Sequence, residues 1–182
     1  MSAKQKGKPS ILAISGSLRP NSSNNAIIKA AAELAYDEAN FIIYEGLGNL
    51  PHFNDDKHPA HEVFEFRNLI RNADGVFICT PEYAFGVPGT LKNALDWTVS
   101  SGEFVNKPVA LITAATGGDK AHASLLLTLT AISARVPDKA TLLISFVRSK
   151  LDENNEVKDA ATLRSIASVI DALMETVGNN EE

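Results

Sequence analysis

Five short apolar runs alternate with longer segments of helical character, and this alternation constrains the fold more than any other feature of the chain. The runs occupy residues 11–15, 41–44, 76–80, 109–113 and 141–145. They are continuously apolar, where a half-exposed strand would alternate, and this is the pattern of parallel strands covered on both faces. Between them lie helix-like segments at 24–39, 62–72, 88–100 and 120–134, with a last one at 160–177 after a polar stretch. Parallel neighbours need crossover connections, so the regular strand–helix alternation predicts a doubly wound α/β fold. The longest irregular segment, 45–61, carries Gly, Pro, Asn and Asp and reads as a surface loop. With no repeat, low-complexity tract or linker, residues 1–182 are expected to form one domain, residues 1–9 being a frayed leader.

Composition narrows the function. A net charge of −5 argues against a nucleic-acid partner, which usually leaves a basic stripe. No apolar run is long enough to span a membrane, and the basic N-terminus leads into too short an apolar run for a signal peptide. A single cysteine permits neither an intrachain disulfide nor a cysteine cluster for zinc. A cytoplasmic protein is the expectation.

In an open α/β sheet, ligands bind at the carboxyl ends of the strands, so the loops that follow the apolar runs come first. The first is Gly16-Ser17-Leu18-Arg19-Pro20-Asn21-Ser22-Ser23-Asn24. Hydroxyls, an arginine and free backbone N–H groups there meet the positive end of a helix dipole, a setting that favours an anion. Ser22 and Asn24 are equally suited to capping the helix, and this segment alone does not separate the two uses. It lacks the Gly-Lys-Ser/Thr of a triphosphate loop and the glycine spacing of a dinucleotide fingerprint.

The second loop, Pro81-Glu82-Tyr83-Ala84-Phe85-Gly86, continues into Val87-Pro88-Gly89 and a helix. Gly86 and Gly89 permit close backbone approach, and Pro88 suits a first helical turn. Phe85 has a competing reading as core packing, and Trp97 as interior or interface packing. The third loop, with Thr116, Gly117 and Gly118, offers consecutive N–H groups to a negative charge. Cys79 lies inside an apolar run and reads as an inert buried thiol. His52, His58 and His61 with Asp55 and Asp56 match no zinc template, so no metal site is expected.

The run from Pro81 to Trp97 closely resembles the PEY-x-x-x-x-PG-x-LKNA-x-DW motif of NADPH-dependent FMN reductases, a flavodoxin-like family. The first loop resembles that family's GSLR-x-x-S-x-N phosphate loop without mismatch, and residues 151–157 look like its FDE-x-G-x-L segment. The resemblance implies a flavodoxin-like three-layer sandwich with a five-stranded parallel sheet in the order 2-1-3-4-5. It implies FMN as cofactor, with the phosphate held by Ser17, Arg19, Ser22 and Asn24. The isoalloxazine edge would meet Pro81, Glu82, Tyr83, Ala84, Phe85 and Gly86, and its other side Thr116, Gly117 and Gly118. Family members often carry Asn and Ser at the positions of Ala84 and Gly86, so contacts there fall to the backbone.

The family further implies NAD(P)H as co-substrate, with a hydride passing from nicotinamide C4 to flavin N5. A quinone, flavin, azo compound or metal oxyanion would then take two electrons. It also implies a homodimer or homotetramer, with the 45–61 loop at the site entrance. Since the flavin carries the chemistry, no catalytic side chain is expected. The alternatives are a flavodoxin-like electron carrier and a flavin-free binding protein on the same fold.

Overall fold

The computed structural model describes residues 7–179; most of the expected leader lies outside them. Five strands form one sheet: β1 (Ser10–Ser15), β2 (Asn40–Tyr44), β3 (Gly75–Thr80), β4 (Val109–Ala114) and β5 (Thr141–Ile144). All pairings are parallel and the order is β2-β1-β3-β4-β5, the flavodoxin arrangement that the resemblance implies. The crossovers are α1 (Ser23–Leu34), α2 (His61–Asn72), α3 (Gly89–Asp96) and α4 (Asp119–Ala131), and α5 (Ala160–Gly178) closes the fold.

Side chains of successive strand residues point to opposite faces, which divides the core in two. Ile11, Ala13, Phe77, Ala110 and Ile112 pack with Ile27 of α1 and Ile166, Ile170 and Leu173 of α5. Leu12, Ile14, Ile78 and Leu111 pack on the other face with Phe66 of α2, Leu91 and Leu95 of α3, and Leu125 of α4. Each fully buried Leu, Ile or Phe among them contributes about 1.5–3 kcal/mol. Within β3 and β4 every residue is buried, which explains their unbroken apolar sequence.

The edge strands depart from the expectation of burial on both faces. In β2, Ile42 and Ile43 are 46% and 53% exposed; that strand lies at the edge of the sheet and pairs only with β1. Three helices, α1, α3 and α4, also stop earlier than their pattern suggests. The chain beyond Leu34 folds into turns over 35–38 that deliver it to β2, and beyond Asp96 it turns until Gly102, where φ is +75°. Among the described residues no helix is long and apolar enough to cross a membrane.

Candidate functional site

The three loops singled out above emerge from β1, β3 and β4, which are neighbours in the sheet, so they gather at one end of it. The first is stitched to β3. Gly16 donates its N–H to the Cys79 carbonyl at 2.8 Å, and a Cβ at position 16 would sit 2.8 Å from the Thr80 Cβ. Only glycine lets β1 leave the sheet so close to β3.

Beyond Gly16 the loop is shaped mainly by Asn25, a residue the motif reading passed over. Its amide reaches the carbonyls of Arg19 and Pro20 at 3.4 and 3.1 Å, and Ser15 Oγ donates to its Oδ1 at 2.6 Å. The N-cap of α1 is Ser22, whose Oγ accepts the Asn25 N–H at 3.1 Å. The capping alternative read for Asn24 falls to Ser22, and the Asn24 side chain lies buried inside the first turn. Its amide donates to the Ala114 carbonyl at 3.4 Å, and its oxygen accepts from the Cys79 thiol at 3.2 Å. That thiol is fully buried, and burial raises its pKa and keeps it protonated.

The loop still has donors to offer. The N–H groups of Ser23 and Asn24, at the positive end of α1, donate to nothing among the described residues. Ser17 Oγ accepts the Arg19 N–H at 3.3 Å, which leaves its own proton uncommitted. The exposed Arg19 guanidinium has no partner among the described residues. A cavity of about 470 Å³ opens beside it, lined also by Ser15, Leu18, Tyr44 and Glu45. Burial, aided by Glu65 and Glu62, pushes the Tyr44 phenol up to about 12, so it stays neutral.

The second loop is a tight two-residue turn. Tyr83 and Gly86 exchange both backbone hydrogen bonds, at 3.0 and 2.9 Å. The central residues Ala84 and Phe85 have φ of +49° and +59°, the mark of a type I′ turn. Such turns favour Asn-Gly; two side-chain-bearing residues other than Asn in the left-handed region are strained. The turn leaves the N–H groups of Ala84 and Phe85 without acceptors among the described residues. Phe85 is 81% exposed and so is no core residue, while Tyr83 is half-exposed beside it. A Cβ at Gly86 would meet nothing nearer than the Tyr83 carbonyl at 3.7 Å, so nothing within the chain demands glycine there.

Glu82 joins the second loop to the third. One carboxylate oxygen accepts the Gly118 N–H at 3.3 Å and the other the Ala121 N–H at 2.9 Å. Gly118 precedes α4 with φ +112°, where a Cβ would lie 2.7 Å from Leu143 Cδ1. Thr116 and Gly117 are exposed, and their N–H groups remain unpaired among the described residues. Close by, the half-buried His122 pairs through Nδ1 with Thr113 Oγ1 at 2.9 Å. The polar stretch after β5 also bears on the site: Asn155, at φ +61°, donates to the Ser22 carbonyl at 3.4 Å. It occupies the glycine position of the FDE-x-G-x-L pattern, which accounts for its left-handed backbone.

Among the described residues no three His, Cys, Asp or Glu side chains gather as metal ligands. A larger cavity of about 770 Å³, among Asp74, Lys107, Pro108 and Arg135, lies at the amino ends of β3 and β4, away from the loops.

The family model for NADPH-dependent FMN reductase matches residues 9–148. An NAD(P)H-dependent FMN reductase of Pseudomonas aeruginosa is 31% identical over 173 residues, covering 90% of this chain and 92% of that protein. A quinone reductase of Escherichia coli K12 is 29% identical over 181 residues, 93% of this chain and 96% of the relative. Among solved structures, FerB of Paracoccus denitrificans, a flavoenzyme NAD(P)H:(acceptor) oxidoreductase, superposes with a TM-score of 0.84 at 26% identity. That superposition covers 94% of this chain and 98% of FerB.

Proposed function

The chain belongs to the NADPH-dependent FMN reductase family, oxidoreductases that use FMN and NAD(P)H, and from that premise we propose that it reduces a small two-electron acceptor, a quinone first. The observation that carries this reading is the gathering of three loops, each with unspent donors, at the carboxyl end of one parallel sheet. The donors fit the chemistry of FMN. Arg19, Ser17 Oγ and the N–H groups of Ser23 and Asn24 suit a dianionic phosphate at a helix N-terminus. Ser22 and Asn24 support that site from within, since their side chains are committed to the cap and to β4. The N–H groups of Ala84, Phe85, Thr116 and Gly117 suit the polar edge of the ring, with Tyr83 beside it.

When bound, FMN supplies the redox chemistry, accepting a hydride at N5 from nicotinamide C4 and passing two electrons on. The protein's part is orientation: Asn25 fixes the phosphate loop, the Tyr83–Gly86 turn fixes the ring edge, and one ring face is left to the substrates. A single flavin-binding domain in the cytoplasm, assembled as a homodimer or homotetramer, completes the reading.

The test is an anaerobic NADPH titration of FMN-loaded protein, followed by visible absorbance and then by addition of a quinone. Stoichiometric bleaching, reversed by the quinone, is the expected result. Bound flavin that NADPH leaves oxidised would point instead to an electron carrier.

A further inference from the structure

The N-cap residue of α4, Gly118, supplies no side-chain cap. In the first turn the Asp119 carboxylate is held by the Lys120 side chain at 3.0 Å and by the first-turn backbone. A second cap comes from across the sheet. Glu82, two residues beyond β3, spends both carboxylate oxygens on Gly118 and Ala121, so an anion sits at the positive end of the α4 dipole. Because β3 and β4 are adjacent, in register at Thr80 and Thr113, this strut spans the two loops directly. It is flanked by the strained Tyr83–Gly86 turn on one side and by Gly117 on the other, whose Cβ would lie 3.6 Å from Glu82 Oε1. The Gly118 N–H, which the sequence offers to a developing negative charge, is thus already taken.

Resting on the FMN reading above, we propose that Glu82 is a positioning residue with an electrostatic role. It sets the spacing of the two loops that meet the flavin ring, and its charge lowers the reduction potential of the bound flavin. Reduction adds negative charge to the ring. A fixed carboxylate beside it opposes that gain, and it also cancels the helix dipole that would favour it. The charge and the strut separate by substitution. Glu82→Gln keeps the side-chain length and one acceptor oxygen but removes the charge; Glu82→Ala removes both.

The experiment measures three quantities for wild type, Glu82→Gln and Glu82→Ala: FMN affinity, the reduction potential of bound FMN, and the melting temperature of the apoprotein. Glu82→Gln is expected to raise the potential with little loss of affinity. Glu82→Ala is expected to weaken FMN binding by about tenfold, as loss of charge-assisted hydrogen bonds implies. An unchanged potential in Glu82→Gln overturns the electrostatic role. A fall in apoprotein melting temperature with affinity and potential intact reduces Glu82 to a helix cap and overturns the proposal. Wild-type protein that binds no FMN overturns the functional reading itself, a result distinct from either.

Discussion

Trp97 donates its indole N–H to the Pro51 carbonyl at 2.8 Å, and Phe53 stands edge-on to the same indole at a centroid distance of 5.1 Å. One turn earlier, Asn93 gives its amide to the Pro51 carbonyl at 2.9 Å and accepts the Phe53 N–H at 2.8 Å. The Asn and Trp of the LKNA-x-DW run thus hold the long 45–61 loop against α3. Asn93 of that motif is therefore a clamp on the loop.

Replacing Asn93 with Ala leaves the Phe53 N–H without its acceptor and the Pro51 carbonyl with one donor fewer. The expected loss of stability is about 1–2 kcal/mol, since an unmade hydrogen bond at a partly covered site costs more than a made one contributes. The urea midpoint of the apoprotein measures it. An unchanged midpoint would mean that water replaces the side chain and the loop needs no clamp.

The turn at Ala84-Phe85 predicts the opposite sign. Asn tolerates the left-handed region better than Ala, so Ala84→Asn relieves strain at φ +49° without the entropy cost of glycine. A gain of about 0.5–1 kcal/mol follows from the usual left-handed penalty for side-chain-bearing residues. Denaturant unfolding of the two apoproteins decides the matter, and a loss of stability would mean that the turn is not type I′ in solution.

The sheet was legible because β3 and β4 are buried throughout and β1 at all but its two end residues, and burial on both faces writes an apolar run. The exposure of the edge strand was not: Phe41-Ile42-Ile43-Tyr44 uses the same letters as a central strand although it pairs on one side only. In the first loop, Ser22, Ser23, Asn24 and Asn25 are all able to cap. The Ala114 carbonyl, on a distant strand, draws Asn24 inward and leaves the cap to Ser22. The motif marked Glu82 for the flavin edge, but nothing local marked its carboxylate as a strut, because its partners lie 36 and 39 residues away. Asn25 carried a faint signal, a polar residue one step past a motif, but its task depends on the path the loop takes.

His122 supplies a pH prediction. Burial lowers its pKa below the ordinary value of 6.5, so the unfolded chain binds the proton more readily than the folded one. Its contribution is therefore fully present above about 6.5 and declines as pH falls below that value. Between neutral and mildly acid pH, wild type should lose more stability than His122→Asn, which cannot titrate. Parallel unfolding curves for the two proteins across that range would remove His122 from the acid sensitivity.

Arg19 separates binding from folding most cleanly. Its guanidinium is exposed and unpartnered among the described residues, so Arg19→Ala should leave the apoprotein melting temperature unchanged. If the charge faces the FMN phosphate, the same substitution weakens FMN binding by about 1–3 kcal/mol, the range for a charge-assisted hydrogen bond. Arg19→Lys should recover part of that loss, because a point charge survives but the planar fork does not. Fluorescence titration with FMN and with riboflavin locates the effect. A penalty confined to FMN assigns Arg19 to the phosphate, an equal penalty for both moves it to the ring, and no penalty takes it out of the site.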